Sequence, residues 1–506
     1  MKKKQPSMKN HITVTVNGNK ITAKAPILLS TLTEDEKPCG GHGSCGKCRV
    51  RALGNLSEIS PTERRLLTPA ELAQGIRLAC LTYATGDCEI KSLQDEKSEK
   101  ILTRGSFSTA KIQPVFQKYG VAIDLGTTTV ASRLYDTEGK LLAEDARHNP
   151  QSNRGADVVS RMEAALGGAK DALRNAICNA LNESISELSK IAHISAKEID
   201  GGVITGNTVM LSLLTGESVE PLSHAPFSAS RLFGETVTAD ALNLHTLSKN
   251  TPIYLPPCIS AFVGADTVCA ILATDLCEKD AAMLVDIGTN GEMALWQNGA
   301  LTVCSTAAGP ALEGVGISSG MRAQAGAIDR VSVVNGAFFA HVIEKTAPRG
   351  ICGSGLIDAV ACMLDLELLD ESGSLEEDPC VIQSPVLLTQ ADIRALQLAK
   401  SAIRAGLETL IENQNLKPSD LSVLFVAGGL GTSFHPRNAS RIGLLPHGMT
   451  EKIRAVGNAA LSGASLLLLN TDAEQRARDL ASCAVTISLA DSPIFQKNYL
   501  RGMIFS

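Results

Sequence analysis

Two segments of the 506-residue chain share one pattern, a run of apolar residues that ends in Asp and turns through Gly and Thr. The first is Gly120-Val-Ala-Ile-Asp124-Leu-Gly126-Thr127-Thr128-Thr129. The second is Met283-Leu-Val-Asp286-Ile-Gly288-Thr289-Asn290-Gly291-Glu292, and the two aspartates stand 162 positions apart. Each reads as a buried strand running into a tight turn, so the pair predicts a distant internal duplication. Chemistry narrows it further. Glycine lets backbone amides approach phosphate oxygens, threonine hydroxyls add donors, and the strand-end Asp holds Mg²⁺, often through water. One such turn is weak evidence of a site; two of them can grip a triphosphate from two lobes. A third element, Phe425-Val426-Ala427-Gly428-Gly429-Leu430-Gly431, follows another apolar strand. It offers a surface without side chains for a nucleoside, or merely a glycine turn for close packing.

The other constraining feature is a loop, Cys39-Gly40-Gly41-His42-Gly43-Ser44-Cys45-Gly46-Lys47-Cys48, followed after 31 intervening residues by Cys80. A [2Fe–2S] cluster needs four thiolates, two per iron. Three of them on one loop require a backbone that curls around an inorganic core, which suits the glycines, and the loop amides can donate to the sulfurs. Zinc competes for thiolates, but its structural sites favour paired C-x2–4-C units, whereas these are three plus one. Four core thiols would leave such a glycine-rich loop nothing apolar to bury. Cys88 is an alternative fourth ligand. His42 reads as a turn residue facing solvent.

The cysteine loop lies in a region of its own texture. Residues 11–27 alternate apolar and polar around Asn17-Gly18, a hairpin signal. Arg49–Ala52 and Arg77–Ile90 read as strands and 61–75 as short helical pieces. Residues 91–111 are charged and Ser-rich, and from Tyr119 the texture is α/β. The expected domains are therefore 1–92, a linker over 93–118, and two lobes over 119–278 and 279–506. Helical patterns cover 157–166, 169–191, 392–413 and 455–469. Buried strands are expected at 119–124, 202–205, 282–286 and 422–427.

Charge follows the same division. Net charge is −6, yet the first hundred residues hold 16 Lys+Arg against 11 Asp+Glu, so a +5 module precedes a −11 body. An acidic chain with 3% aromatics and one Trp argues against a nucleic-acid binder. No run of about 18 apolar residues predicts a membrane span, and the basic Met1-Lys2-Lys3-Lys4 start lacks the apolar run of a secretory signal. A cytoplasmic protein with reduced thiols is expected. The 14 cysteines then divide into four placed as ligands and ten others. Apart from Cys88, those are Cys178, Cys258, Cys269, Cys277, Cys304, Cys352, Cys362, Cys380 and Cys483, which are assigned to packing.

Residues 10–92 resemble [2Fe–2S] ferredoxins, particularly those with adrenodoxin-like cysteine spacing, although those proteins are acidic. Residues 119–506 resemble the actin/Hsp70/sugar-kinase ATPases. Together these likenesses imply a small α+β, β-grasp ferredoxin domain followed by an α/β ATPase of two ribonuclease-H-like lobes with ATP in the cleft. Asp124, Gly126, Thr127 and Thr128 match the first phosphate loop, Asp286, Gly288, Thr289 and Asn290 the second, and Gly428 and Gly429 the adenosine loop. In Val263-Gly264-Ala265-Asp266, Asp266 falls where that superfamily often places a residue that positions water. It is the candidate base, and a helix cap for Thr267 onward is the other reading. Ala308–Gly314 and Gly350–Gly355 read as loops near the cleft.

The order of the whole chain, including Gly206-Asn207-Thr208-Val209-Met210 and Gly309-Pro310 with Glu313-Gly314, resembles the reductive activators of corrinoid proteins, which serve methyltransferase and O-demethylase systems. The resemblance implies ATP-dependent reduction of an inactive Co(II) corrinoid to Co(I), with electrons passing through the cluster on Cys39, Cys45, Cys48 and Cys80. It also implies a corrinoid (cobalamin-binding) methyltransferase protein as partner, an upstream low-potential electron donor, and a homodimer, since this kind of ATPase often pairs. This chain departs from the larger members in its short charged linker. Two other functions stay open. One is an activator of another low-potential enzyme, such as a 2-hydroxyacyl-CoA dehydratase. The other is a sugar-kinase-like phosphotransferase with a redox-sensing module.

Overall fold

The computed structural model describes residues 11–33 and 48–92, apart from positions 17 and 68, and residues 112–505, apart from 156 and 430–433. Cys39, Cys45, His42 and the loop glycines among 40–46 lie outside the described residues. The chain forms two compact units, divided between residues 103 and 104.

In the first unit, β1 (His11–Val16) and β2 (Asn19–Lys24) form the expected hairpin. β3 (Ile27–Leu28), β4 (Arg49–Leu56), β5 (Ile76–Leu78) and β6 (Tyr83–Ser92) complete a sheet of order β2-β1-β6-β4-β5, with β3 on β6. β1 and β6 run parallel at its centre, and the short helices Pro61–Leu66 and Pro69–Ala73 lie between β4 and β5 in sequence. This is the ferredoxin-like arrangement. Ile12, Val14, Leu29, Val50, Leu78 and Ile90 form its core.

The second unit holds two sheets of like design. In the first lobe, β7 (Tyr119–Leu125), β8 (Thr129–Asp136) and β9 (Leu141–His148) form an antiparallel meander. β10 (Ile199–Gly206) and β12 (Pro252–Leu255) extend it in parallel beside β7, and β11 (Glu235–Thr238) closes the edge. In the second lobe, the meander is β13 (Ala281–Ile287), β14 (Asn290–Gln297) and β15 (Ala300–Ala307). Between the meander and the parallel extension the chain forms β16 (Ala327–Val334), β17 (Ala337–Val342) and β18 (Gly350–Ile351) as one small sheet, and β19 (Cys380–Gln383) with β20 (Val386–Leu388) as another. β21 (Val423–Gly428) and β22 (Ile453–Gly457) then extend the large sheet in parallel, and β23 (Val485–Thr486) pairs β15. The orders β12-β10-β7-β8-β9 and β22-β21-β13-β14-β15 are thus one topology used twice.

Long helices bridge the parallel strands. Lys170–Ile191 leads from the first meander to β10 and buries Leu173, Ile177, Leu181, Ile185 and Leu188, an i, i+4 stripe. Gln390–Asn413 does the same before β21, opened by a capping box between Thr389 and Asp392. The segment 455–469, expected as one helix, divides instead. β22 ends at Gly457, whose φ of 62° breaks it, and Asn458 caps the helix Ala459–Leu469 by accepting from the Leu461 amide.

That helix crosses Ala265–Ala273 at close range. A Cβ on Gly463 would stand 1.9 Å from the Cys269 carbonyl oxygen. Val268, Cys269, Leu466 and Leu468 share a core with Phe116 and Ala122 from the first lobe. Residues 112–116 dock here too. The Gln113 and Val115 amides donate to the carbonyls of Leu469 and Leu468, and Phe116 lies over Gly120 and Gly201, where any Cβ would strike its ring or stem.

Candidate functional site

Strand ends from both lobes converge on one cavity of about 400 Å³. Its walls include Asp124, Gly126, Thr127, Thr128, Asp266, Asp286, Gly288, Thr289, Asn290, Gly428 and Gly429, so every ATP-site residue singled out in the sequence faces the same space. Two of the glycines, Gly126 and Gly428, are sterically required. A Cβ on Gly126 would lie 2.6 Å from the Thr129 carbonyl oxygen. One on Gly428, where φ is 100°, would lie 2.3 Å from the Ile287 carbonyl oxygen and 2.6 Å from Asp286 Oδ1. β21 therefore reaches the second turn only because its last residue has no side chain.

Several cleft residues have roles that the sequence did not assign. Asn458 donates from Nδ2 to Asp124 Oδ2 at 2.8 Å while its Oδ1 caps the helix that follows. Asn207 does the same in the first lobe, capping Thr208–Thr215 and donating to Thr127 Oγ1 at 3.1 Å. Glu313 Oε1 accepts from the Thr289 hydroxyl at 3.0 Å. Glu292, opposite Asp286 across β13 and β14, also lines the cavity. Beneath the first loop, the fully buried Arg161 donates to the Thr127 carbonyl at 2.6 Å and to Gly155 and Gln151. The sequence offered only faint signals here: Asn207 and Asn458 each sit at a strand-to-helix junction, where Asn is a favoured cap.

Crowding of carboxylates sets the electrostatics. Burial pushes Asp124 up to about 7, opposed by the Asn458 hydrogen bond and reinforced by Asp266. Burial and then the charges of Asp266, Asp124 and Glu313 raise Asp286 to about 8. Asp266 rises to about 6 for the same first reason, against the Thr267 amide that donates to its Oδ1 at 2.7 Å. Glu292 is raised well above the ordinary carboxylate range by burial and by Asp266 and Asp286. Such a set of hard oxygen donors fits a divalent cation arriving with phosphates.

In the first unit, Cys48 and Cys80 are both buried and their sulfurs approach to 3.1 Å, an S–H···S contact. The Ala79 amide donates to the Cys48 carbonyl, and the Leu29 and Ser30 amides, in the 3-10 turn after β3, donate to the Thr82 and Ala79 carbonyls and so hold the 79–82 turn. Two thiols brought to one point suit a soft metal centre. Cys88 sits mid-strand in β6, opposite Val14 and Gly54, where its neighbours are strand backbone.

The residues 280–506 match the family model described as the C-terminal domain of RACo, the ASKHA domain, and residues 119–279 match its middle region. The chain is 34% identical over 435 residues to the corrinoid activation enzyme RamQ of Eubacterium limosum, covering 79% of this chain and 72% of that one. The chain belongs to the RACo family of reductive corrinoid activators. A second relative, the [Co(II) methylated amine-specific corrinoid protein] reductase of Methanosarcina barkeri, is 28% identical over 76% of each chain. The solved structure of a reductive activator for corrinoid, iron-sulfur protein superposes over 98% of both chains with a TM-score of 0.75 at 26% identity.

Within this RACo-family chain the remaining cysteines are not uniform. Cys178, Cys258, Cys269, Cys304 and Cys362 are buried as packing residues. Cys352 is buried too but lines the cleft, and Cys483 is exposed at the end of the helix Ala473–Cys483, so packing does not describe it. Among the described residues no helix is long and apolar enough to cross a membrane.

Proposed function

We propose that this chain couples ATP hydrolysis to the one-electron reduction of a corrinoid protein, returning Co(II) to Co(I) in a methyltransferase or O-demethylase system. The observation that carries this reading is the pairing, in one chain, of a buried thiol pair at 3.1 Å with a two-lobed acidic cleft. Cys39, Cys45, Cys48 and Cys80 are the proposed ligands of a [2Fe–2S] cluster. When bound, such a cluster supplies single electrons at low potential. The 79–82 turn holds Cys80 against Cys48 through backbone bonds, which supports Cys80 over Cys88.

ATP is bound between the lobes. Amides at Gly126 and Gly288 and hydroxyls of Thr127, Thr128 and Thr289 donate to phosphate oxygens, while Gly428 and Gly429 leave room for the nucleoside. Asp124 and Asp286 would hold Mg²⁺, which would neutralise phosphate charge, and Asn458 fixes the rotamer of Asp124. Asp266, at the start of its helix, orients the attacking water as ATP and water become ADP and phosphate. The electron reaches the partner's cobalt from an upstream low-potential donor; hydrolysis alters lobe geometry rather than entering the redox chemistry. The domains 1–92, 119–278 and 279–506, a homodimer, and a cytoplasmic setting complete the proposal.

The deciding experiment mixes the anaerobic, reduced holoprotein with Mg-ATP and a Co(II) corrinoid protein and follows cobalt absorption. ATP-dependent growth of the Co(I) bands is expected. Their absence with several corrinoid partners, in a sample that still hydrolyses ATP, would refute the assignment.

A further inference from the structure

Among the described residues that line the cleft, five are carboxylates and one is a cation, Arg322. Among the described residues no hydrogen bond or ion pair engages its guanidinium, although Glu313 and Glu292 line the same cavity. It is only half-buried, so it has solvent to move through. A nucleotide brings several negative charges into this space, and the phosphate loops answer them with neutral amides and hydroxyls. One fixed cation is therefore the missing element of the site.

The backbone that carries Arg322 is held from three sides. The Met321 amide donates to the Ile351 carbonyl at 2.9 Å, and the Ile351 amide returns to Ser319 at 2.8 Å. Ser318 donates through its amide and hydroxyl to Asp392 Oδ1, at 2.7 and 3.1 Å, which anchors the loop to the capping box of Gln390–Asn413. Gly320 packs so closely on Gly314 that a Cβ would stand 2.1 Å from the Gly314 carbonyl oxygen. Gly314 follows Glu313, and Glu313 takes the hydroxyl of Thr289 in the second phosphate loop. The Gly309 amide adds a bond to the Thr289 carbonyl at 2.9 Å. Arg322 thus belongs to the structural unit that braces the second phosphate turn, while no described residue pairs with its side chain.

We propose that Arg322 binds the terminal phosphate of the nucleotide, so that this lobe distinguishes a triphosphate from a diphosphate. The assignment rests on the ATP reading of the cleft and names the group by which the occupied states differ. A guanidinium matches a phosphate's oxygens with paired donors, which a point charge does less well. After hydrolysis the contact is lost with the departing phosphate, and the loop bolted to Gln390–Asn413 is freed of its ligand.

The test is equilibrium binding of Mg-AMPPNP and Mg-ADP to the full-length wild-type protein, Arg322→Gln and Arg322→Lys, with circular dichroism to check folding. Arg322→Gln should weaken AMPPNP by about tenfold to a hundredfold, the range of a charge-assisted hydrogen bond, and change ADP by less than about threefold. Arg322→Lys should recover part of the loss. Unchanged AMPPNP affinity in Arg322→Gln, or equal loss of both nucleotides, would overturn the assignment. A folded wild-type chain that binds neither nucleotide would overturn the ATP reading itself and the arginine's role with it.

Discussion

Glu63 is fully buried in the first unit, and replacing it with Gln should loosen the turn that carries Cys80. Its Oε1 accepts from Arg77 Nε at 2.9 Å, the Leu78 amide at 3.2 Å and the Thr82 hydroxyl at 3.0 Å. Its Oε2 accepts from the Ser60 amide at 2.9 Å and from a second Arg77 nitrogen at 3.1 Å. Burial alone would raise this carboxyl, but Arg77 and the amides of Ser60 and Leu78 overcome it and hold it at about 2, against an ordinary 4.5. That drop is worth about 3 kcal/mol, at 1.4 kcal/mol per tenfold. The loss measured when one partner of a buried pair is removed, ~3–5 kcal/mol, agrees.

Because the folded value is depressed, the stabilisation is complete above pH 4.5 and disappears as pH falls from there towards 2. Hydrogen exchange of the full chain at neutral pH reads it directly. Peptides spanning 76–82 should lose about a hundredfold in protection in Glu63→Gln. The wild-type advantage over the variant should shrink on acidification below pH 4.5. Protection within about threefold of wild type at neutral pH would refute the network as the anchor of this turn.

Three further outcomes follow from the proposed roles. Cys80→Ser should abolish iron and acid-labile sulfide in anaerobically purified protein while Cys88→Ser retains both; the reverse pattern would move the fourth ligand to Cys88. Gly463→Ala should cost about 1–3 kcal/mol in thermal unfolding, because its Cβ meets the Cys269 carbonyl and the two helices must part; an unchanged melting temperature would contradict that crossing. Asp266→Asn should lower ATPase kcat by about 10²–10⁴ and keep AMPPNP affinity. Gly264, not Asp266, is the N-cap of this helix, so a variant with full activity would leave Asp266 only its bond from the Thr267 amide.

What the sequence made legible was set by burial. β7, β10, β13 and β21 have apolar neighbours on both faces and read as continuous apolar runs, so their positions were plain and their ends marked the cleft. β22 was not, because Ala455-Val456 continues into an Ala- and Leu-rich helix and only the backbone turn at Gly457 separates them. The partly exposed strands β8 and β9 lacked such runs. In the site, the Asp and Gly positions were visible because their chemistry repeats. Arg161 was invisible, since nothing in a local pattern marks a buried guanidinium whose partners are carbonyls from distant turns. Glu292 was in plain view beside Asn290, but only the pairing of β13 with β14 sets it opposite Asp286.

The duplication also explains an asymmetry that neither segment shows alone. Ala265–Ala273 follows the outer parallel strand region of one lobe and Ala459–Leu469 that of the other, so Asp266 and Asn458 hold comparable places at the starts of two crossing helices. One place has kept an acid and the other an amide. The amide gives its N–H to Asp124, which a carboxylate in that place could not do. The acid meets Asp286 and raises it, adding charge where a cation is needed. Two acids would leave Asp124 without a donor and enlarge the repulsion; two amides would leave no carboxylate to orient water. Both helices meet at Gly463 and Cys269, so the acid and the amide are carried on one tight crossing.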